Sequence, residues 1–278
     1  MALVVRLGAE EVAEDWPQFL GPRGNNTSRE TGLLDKFPKD GPPVVWQREI
    51  GTGYSAPSVR GDLLVLHHRV KEEEVVEAMH PATGKPAWRY AYPSRYQDPY
   101  GYNNGPRCTP LLTAERCYTL GAEGKLLCLE LKSGKLLWEK RYTDFLSDTI
   151  YLRYATSSPA VDPETGNVYM LGTQGMLKAF TADGKELWGY SMMEQFGRLT
   201  FPNSRTATPV IDKDLVIVRG ITSNWVTLAA PWRLEVPTQS EPVSPPPMTT
   251  TCLPLADSVP FGAALLSGSP ATRLFCCT

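Results

Sequence analysis

A tryptophan preceded by a Gly-Lys pair recurs in this chain at intervals of 50 residues, and no other feature restricts the fold so tightly. The matching segments are 81–88 (PATGKPAW), 131–138 (LKSGKLLW) and 181–188 (TADGKELW). Trp46 is an earlier member without its own Gly-Lys turn. A second landmark keeps step: a small residue precedes proline at Ala56-Pro57, Thr109-Pro110, Ser158-Pro159 and Thr208-Pro209, at intervals of 53, 49 and 50 residues. Two markers in one register mean an internally repeated fold.

Each unit resolves into four short strands. In the second they are Cys108–Leu112, Arg116–Leu120, Lys125–Glu130 and Leu136–Arg141; in the third, Ser158–Val161, Asn167–Leu171, Met176–Phe180 and Glu186–Tyr190. The connections are rich in Gly, Asp and Asn, residues that tolerate tight turns and positive φ. Four strands in a meander, repeated about every 50 residues, is the arithmetic of a propeller blade. One blade cannot bury both of its faces, so blades stack. The pattern therefore predicts an all-β, incomplete β-propeller of about four antiparallel blades. Trp88, Trp138 and Trp188 are expected to dock over glycine turns of neighbouring blades, with Gly84, Gly134 and Gly184 leaving room for the indoles. Burying such a ring is worth about 2–3 kcal/mol.

The order small-Pro strand, Val-Tyr strand, Gly-Leu-x-Ala strand, Thr-Gly-Lys-x-x-Trp resembles the PQQ-like repeat with its tryptophan-docking motif. That repeat is found in quinoprotein dehydrogenases and in BamB-type outer-membrane assembly lipoproteins. The opening 15–24 (DWPQFLGPRG) is similar to the start of a large group of bacterial PQQ-like propeller proteins. The resemblance covers about residues 15–225. It implies a propeller of seven or eight blades when closed, and an exported protein, periplasmic or extracellular. It is specific for fold and weak for function, because one propeller hosts many roles.

Residues 1–14 read as an N-terminal tail or the remnant of a secretory signal, and 15–225 as the partial propeller. After Trp225 the character changes. Residues 226–278 hold no Lys, five charged residues and nine prolines, and neither landmark recurs in register. This stretch reads as a Pro-rich disordered extension or as a frameshifted end, the second fitting the abrupt change within a blade. Unclosed blades leave apolar faces at both ends of the stack, so self-association is expected.

The formal net charge of −2 gives no electrostatic reason to expect nucleic acid or an anionic membrane surface. No apolar run is long enough to span a bilayer. The six cysteines do not take a zinc or disulfide-framework spacing.

Function on a rigid scaffold concentrates in long loops. Three inter-blade connections are long: Tyr92–Pro106, Tyr142–Thr156 and Ser191–Thr206. The first carries Tyr102 and Asn103 and leads to Arg107; the third ends on Asn203 and Arg205. Arg107 and Arg205 stand just before a first strand and could together meet an anion or carboxylate in the central channel. The plainer expectation is that they bond loop carbonyls and rim acids. His67 and His68 point to opposite faces of a strand and make a poor chelating pair. Glu72, Glu73 and Glu74 read as a solvated turn.

A quinoprotein needs an acidic base, calcium ligands and an aromatic floor under the quinone. These cannot be assigned here, and the adjacent Cys276 and Cys277 lie in the aberrant tail. No catalytic residue, metal site or cofactor is therefore expected in this fragment. The first reading is a non-catalytic scaffold binding a protein, peptide or glycan through its long-loop face. The alternative is a fragment of a PQQ-dependent oxidoreductase that binds PQQ and calcium when complete.

Overall fold

The computed structural model describes residues 14–30, 39, 44–98, 101–141, 157–172, 175–192, 194, 199–200, 208–212, 215–218 and 221–222. Its strands build three four-stranded antiparallel sheets in simple meander order, followed by two strand pairs. The first blade is β1 (Ser58–Arg60), β2 (Leu63–Val70), β3 (Glu73–Met79) and β4 (Pro86–Pro93). The second is β5 (Leu111–Leu112), β6 (Arg116–Leu120), β7 (Lys125–Glu130) and β8 (Leu136–Arg141). The third is β9 (Ala160–Val161), β10 (Val168–Leu171), β11 (Met176–Phe180) and β12 (Glu186–Ser191). Then come β13 (Leu199–Thr200), β14 (Val210–Asp212), β15 (Leu215–Ile217) and β16 (Ile221–Thr222), with β14 paired to β15 and β13 to β16. This is an all-β, incomplete propeller.

The middle strands are buried on both faces, which is why they read as near-continuous apolar runs such as 168–171 (VYML). The outer strands β4 and β8 are half exposed and alternate. The first strands begin later than the sequence suggests, at Leu111 and Ala160. Proline explains this: Pro110 and Pro159 have no N–H to give a ladder.

Three apolar seams hold the stack. Leu63, Val65, Val76 and Ala78 of the first blade meet Leu112, Cys117, Leu127 and Leu129 of the second. Leu111, Tyr118, Leu120, Leu126 and Cys128 meet Val168, Met170 and Phe180 of the third. Tyr169, Leu171, Leu177, Ala179 and Trp188 pack with Val216 and Val218. Burial pushes the thiols of Cys108 and Cys128 each up to about 11, so they serve as small apolar groups.

Three indoles reach the turn of the next blade. Trp88 lies against Gly134 and donates from Nε1 to the Leu131 carbonyl at 2.8 Å. Trp138 lies against Gly184 and donates to the Ala182 carbonyl at 2.7 Å. Trp46 lies against Gly84 and donates to the Pro81 carbonyl at 2.7 Å, so the member without its own Gly-Lys turn uses the first blade's turn. Two constraints coincide at Gly134: its φ is +70°, and a Cβ would strike the Trp88 ring. Trp188 is buried against Tyr169, and among the described residues its Nε1 has no acceptor.

The small residue before proline also has a physical task. Ser158 Oγ accepts from the Thr109 amide at 3.0 Å, and Thr208 Oγ1 accepts from the Ser158 amide at 3.0 Å. The hydroxyl of one blade thus satisfies a buried amide of the blade before it.

Candidate functional site

The described long connection runs from Ser94 to Arg107, with 99–100 outside the described residues. Its organiser is Arg69, near the end of β2 and only 6% exposed. Nε donates to the Lys71 carbonyl at 2.8 Å. One terminal nitrogen donates to Tyr96 O at 2.6 Å and Asn104 O at 3.2 Å; the other donates to Ser94 O and to Glu72, each at 3.1 Å. Four backbone carbonyls on one guanidinium fix the loop from inside, a geometry only Arg's planar fork supplies.

A second ring of contacts shapes the loop tip. Asn104 Oδ1 accepts from the Asp98 amide at 2.7 Å, and Asn103 Oδ1 accepts from the Gly105 amide at 2.8 Å. Arg107 donates to Asp98 at 2.6 Å, Asn103 O at 3.0 Å and Gly105 O at 3.3 Å. Its guanidinium stands 5.1 Å from the centre of the Tyr96 ring and 5.7 Å from that of Tyr54. Gly105 lets the loop run against the Thr52 backbone, where a Cβ would collide. The Tyr54 amide donates to Pro106 O at 2.8 Å, stitching the segment before the first blade to the loop.

On this rigid base Tyr54 and Tyr102 are presented outward, 59% and 70% exposed. Tyr102 was among the sequence-derived site residues, and here it faces solvent. Asn103 and Arg107 were expected to meet a ligand. The structure turns both inward: Arg107 is ion-paired to a buried carboxylate, so its charge is not offered to an anion. The plainer expectation of bonded carbonyls and a rim acid describes it. Asn203 and Arg205 lie outside the described residues, as do Cys276 and Cys277.

One sequence reading is corrected. Glu72 and Glu73 are exposed, but Glu74 is fully buried. The turn is only Lys71-Glu72, so strand alternation starts at Glu73 and sends Glu74 into the seam with the second blade. There it accepts from the Tyr92 hydroxyl at 2.5 Å, the Ala122 amide at 3.0 Å and the Ser94 hydroxyl at 3.2 Å. His67 Nε2 lies 3.4 Å away, and His67 Nδ1 meets Thr119 Oγ1 at 2.7 Å. Burial works against the carboxylate's charge, but the His67, Tyr92 and Ala122 hydrogen bonds outweigh it and hold it below its usual range. Burial, with Glu74 alongside, drives the Tyr92 hydroxyl well above its ordinary value. The cluster is sealed from solvent, so it braces the blades and cannot meet a substrate. Neither Arg69 nor Glu74 was singled out as a site residue from sequence. The available signal was an unusual run of charge, His67 to Glu74, in what should be apolar middle strands.

Among the described residues no group of three or more His, Cys, Asp or Glu side chains is placed to hold a metal ion. The buried carboxylates Glu74 and Asp98 are each turned to the protein's own donors. The described side chains thus do not fit the oxygen-rich cradle that calcium beside a quinone needs.

The family model described as outer membrane protein assembly factor BamB matches residues 30–242. No curated protein matches the chain. Among solved structures, BamB from Moraxella catarrhalis is 15% identical, with a TM-score of 0.39, over 59% of this chain and 44% of that one. Quinohemoprotein alcohol dehydrogenase from Comamonas testosteroni is 19% identical, with a TM-score of 0.47, over 63% of this chain and 27% of that one. A europium-containing methanol dehydrogenase is 15% identical, with a TM-score of 0.38, over 59% of this chain and 27% of that one. The chain thus spans less than half the length of these structures.

Proposed function

The chain belongs to the family of the outer membrane protein assembly factor BamB, and from that premise we propose that it is a non-catalytic scaffold whose long-loop face binds a protein partner. The observation that carries this is the pair Tyr54 and Tyr102, held outward by a loop whose polar groups are already spent on one another. Large, rigid, amphipathic rings on a pre-ordered base cost little entropy to bind through, which is how interface anchors work. The two arginines at the site are consumed in holding it together. A partner would therefore be taken through ring contacts rather than by anion capture. Export to the periplasm or cell exterior belongs to the same proposal.

The test places a photo-crosslinking residue at 102 and, in a separate variant, at Leu137 on the outer edge of the second blade, in a bacterial envelope. Crosslinks from 102 to a component of outer-membrane protein assembly, absent from 137, support the scaffold. Identical products from both positions count against it. So does a quinone absorbance co-purifying after PQQ and calcium are added, together with dye-linked alcohol oxidation. The exposed Val44 and Val45, 77% and 82% open, motivate a lesser proposal, that copies of the chain associate through this segment ahead of the first blade. A monodisperse monomer at high concentration by light scattering would remove it.

A further inference from the structure

We propose that His68 is a proton-operated latch that holds the segment 46–54 across the first blade at neutral pH and releases it in acid, withdrawing Tyr54 from the binding face. This rests on the reading above that Tyr54 belongs to that face.

Five contacts fasten the segment. Trp46 covers Gly84, and Arg48 pairs with Glu77 at 2.7 Å. The Gly51 amide donates to His68 Nδ1 at 2.7 Å. Thr52 and Arg69 exchange backbone bonds of 2.9 and 2.7 Å, and the Tyr54 amide reaches Pro106 O. The middle contact is the titratable one. Because Nδ1 accepts, it carries no hydrogen, and the ring's single proton sits on Nε2. That atom lies 3.3 Å from Glu77 Oε1 but outside hydrogen-bonding geometry, so it has no acceptor.

A second proton on the ring must go to Nδ1, pointing it at the Gly51 N–H. Two donors then face each other in a part-buried place, and an amide loses its acceptor. The neighbouring Thr52–Arg69 backbone pair holds the Gly51 amide against the ring, so the conflict is relieved by release of the segment. The charges around the ring are Arg48 from the segment, Glu77 from β3, Arg89 from β4 and His67 on its own strand. Glu77 alone favours an imidazolium, and Arg48 already engages it. Burial is the strongest influence, and it holds His68 below the ordinary imidazole range. The sign follows. A depressed value in the closed form means closure is fully favoured above 6.5, the ordinary value. Below that, the open form takes a proton that the closed form refuses, and opening grows until the closed form's own lower value is reached.

The test is hydrogen exchange on the whole chain at pH 8 and pH 5, corrected for intrinsic exchange and followed in peptides covering 46–54. Exchange there is expected to speed by up to about thirtyfold at the lower pH, the limit set by an open-state imidazole near 6.5. Peptides of β6 and β7 should not respond. His68→Asn keeps an acceptor near the Nδ1 position and cannot gain a proton, so its segment should stay protected at both pH values. Glu77→Gln removes the one group favouring the imidazolium in the closed form, so the closed-form value falls further and exchange in 46–54 should go on rising to lower pH than in the native chain; this reading stands even if the His68 variant does not fold. No pH response in the native chain, a response that persists in His68→Asn, or a rise in Glu77→Gln that levels off at the same pH as in the native chain would overturn the latch. Exchange needs no partner. An absent pH response with intact crosslinking at 102 sinks the latch alone, whereas absent crosslinking with an intact response sinks the binding face alone.

Discussion

The seam between the first and second blades and the seam between the second and third share one register, yet they solve the burial problem differently. Two residues before the position paired with the blade's tryptophan, Val76 pairs with His67 in the first blade and Leu126 with Leu120 in the second. The third blade has Leu177 and Leu171 there. Two residues earlier stands Glu74, where the second and third blades have Gly124 and Gly175, both in the left-handed conformation that turns use. The first blade has lengthened its middle strands past the point where its neighbours turn, and it carries a polar cluster into the extension. The other seam closes with Leu120, Met170 and Phe180. Apolar packing is enough to stack blades. The polar extension does something else: it positions the loop that bears the candidate site, through Ser94 on Glu74 and Arg69 beside it.

The comparison is most exposed to Glu74→Ala. That change strands the Tyr92 hydroxyl and the Ala122 amide beside a buried histidine, and should cost about 3–5 kcal/mol in urea unfolding at pH 7. A cost below that of the matching apolar truncation would mean the polar seam adds nothing. That truncation, Leu120→Ala, should cost about 2–4 kcal/mol through the cavity it leaves, and equally at pH 7 and pH 4. Acid sharpens the contrast further. Because the folded-state value of Glu74 is depressed, its contribution is present above the ordinary carboxylate value of 4.5 and is lost as pH falls through the lower folded value. Glu74→Gln should flatten this part of the pH dependence relative to the native chain, whereas Leu120→Ala should leave it intact. The smallest effect is expected for Trp88→Phe, which keeps an aromatic over Gly134 but loses the bond to Leu131 O. It should cost about 1 kcal/mol by the same unfolding measurement.

The fold was legible in the sequence because stacking imposes a period. An indole must land on a residue without a Cβ, so Trp88, Trp138, Gly134 and Gly184 could be read off as partners. The middle strands β6, β7 and β11 fell where the turns placed them. The prolines of the second landmark were seen, but their shortening of the first strands was not. Nor was the hydroxyl beside them recognised as a cap for the preceding blade. The candidate site was half legible. Its loop and Tyr102 stood out by length and composition. Arg69, Asp98 and Glu74 did not, because local sequence does not distinguish a charge that faces water from one that faces four carbonyls across a chain reversal. For Arg107 the sequence left two readings open, a ligand anion or loop carbonyls and a rim acid, and the structure places it on Asp98, Asn103 O and Gly105 O of the same loop.

The stacking of an indole on the next blade's glycine is the contact from which all else follows, and proton NMR reads it directly. In the native chain the α-protons of Gly134 should be moved far upfield by the Trp88 ring current. They should return to ordinary glycine positions in Trp88→Leu, while those of Gly184 under Trp138 stay displaced. Gly134 α-protons at ordinary positions in the native chain, or unmoved by Trp88→Leu, would contradict the stacked-blade architecture.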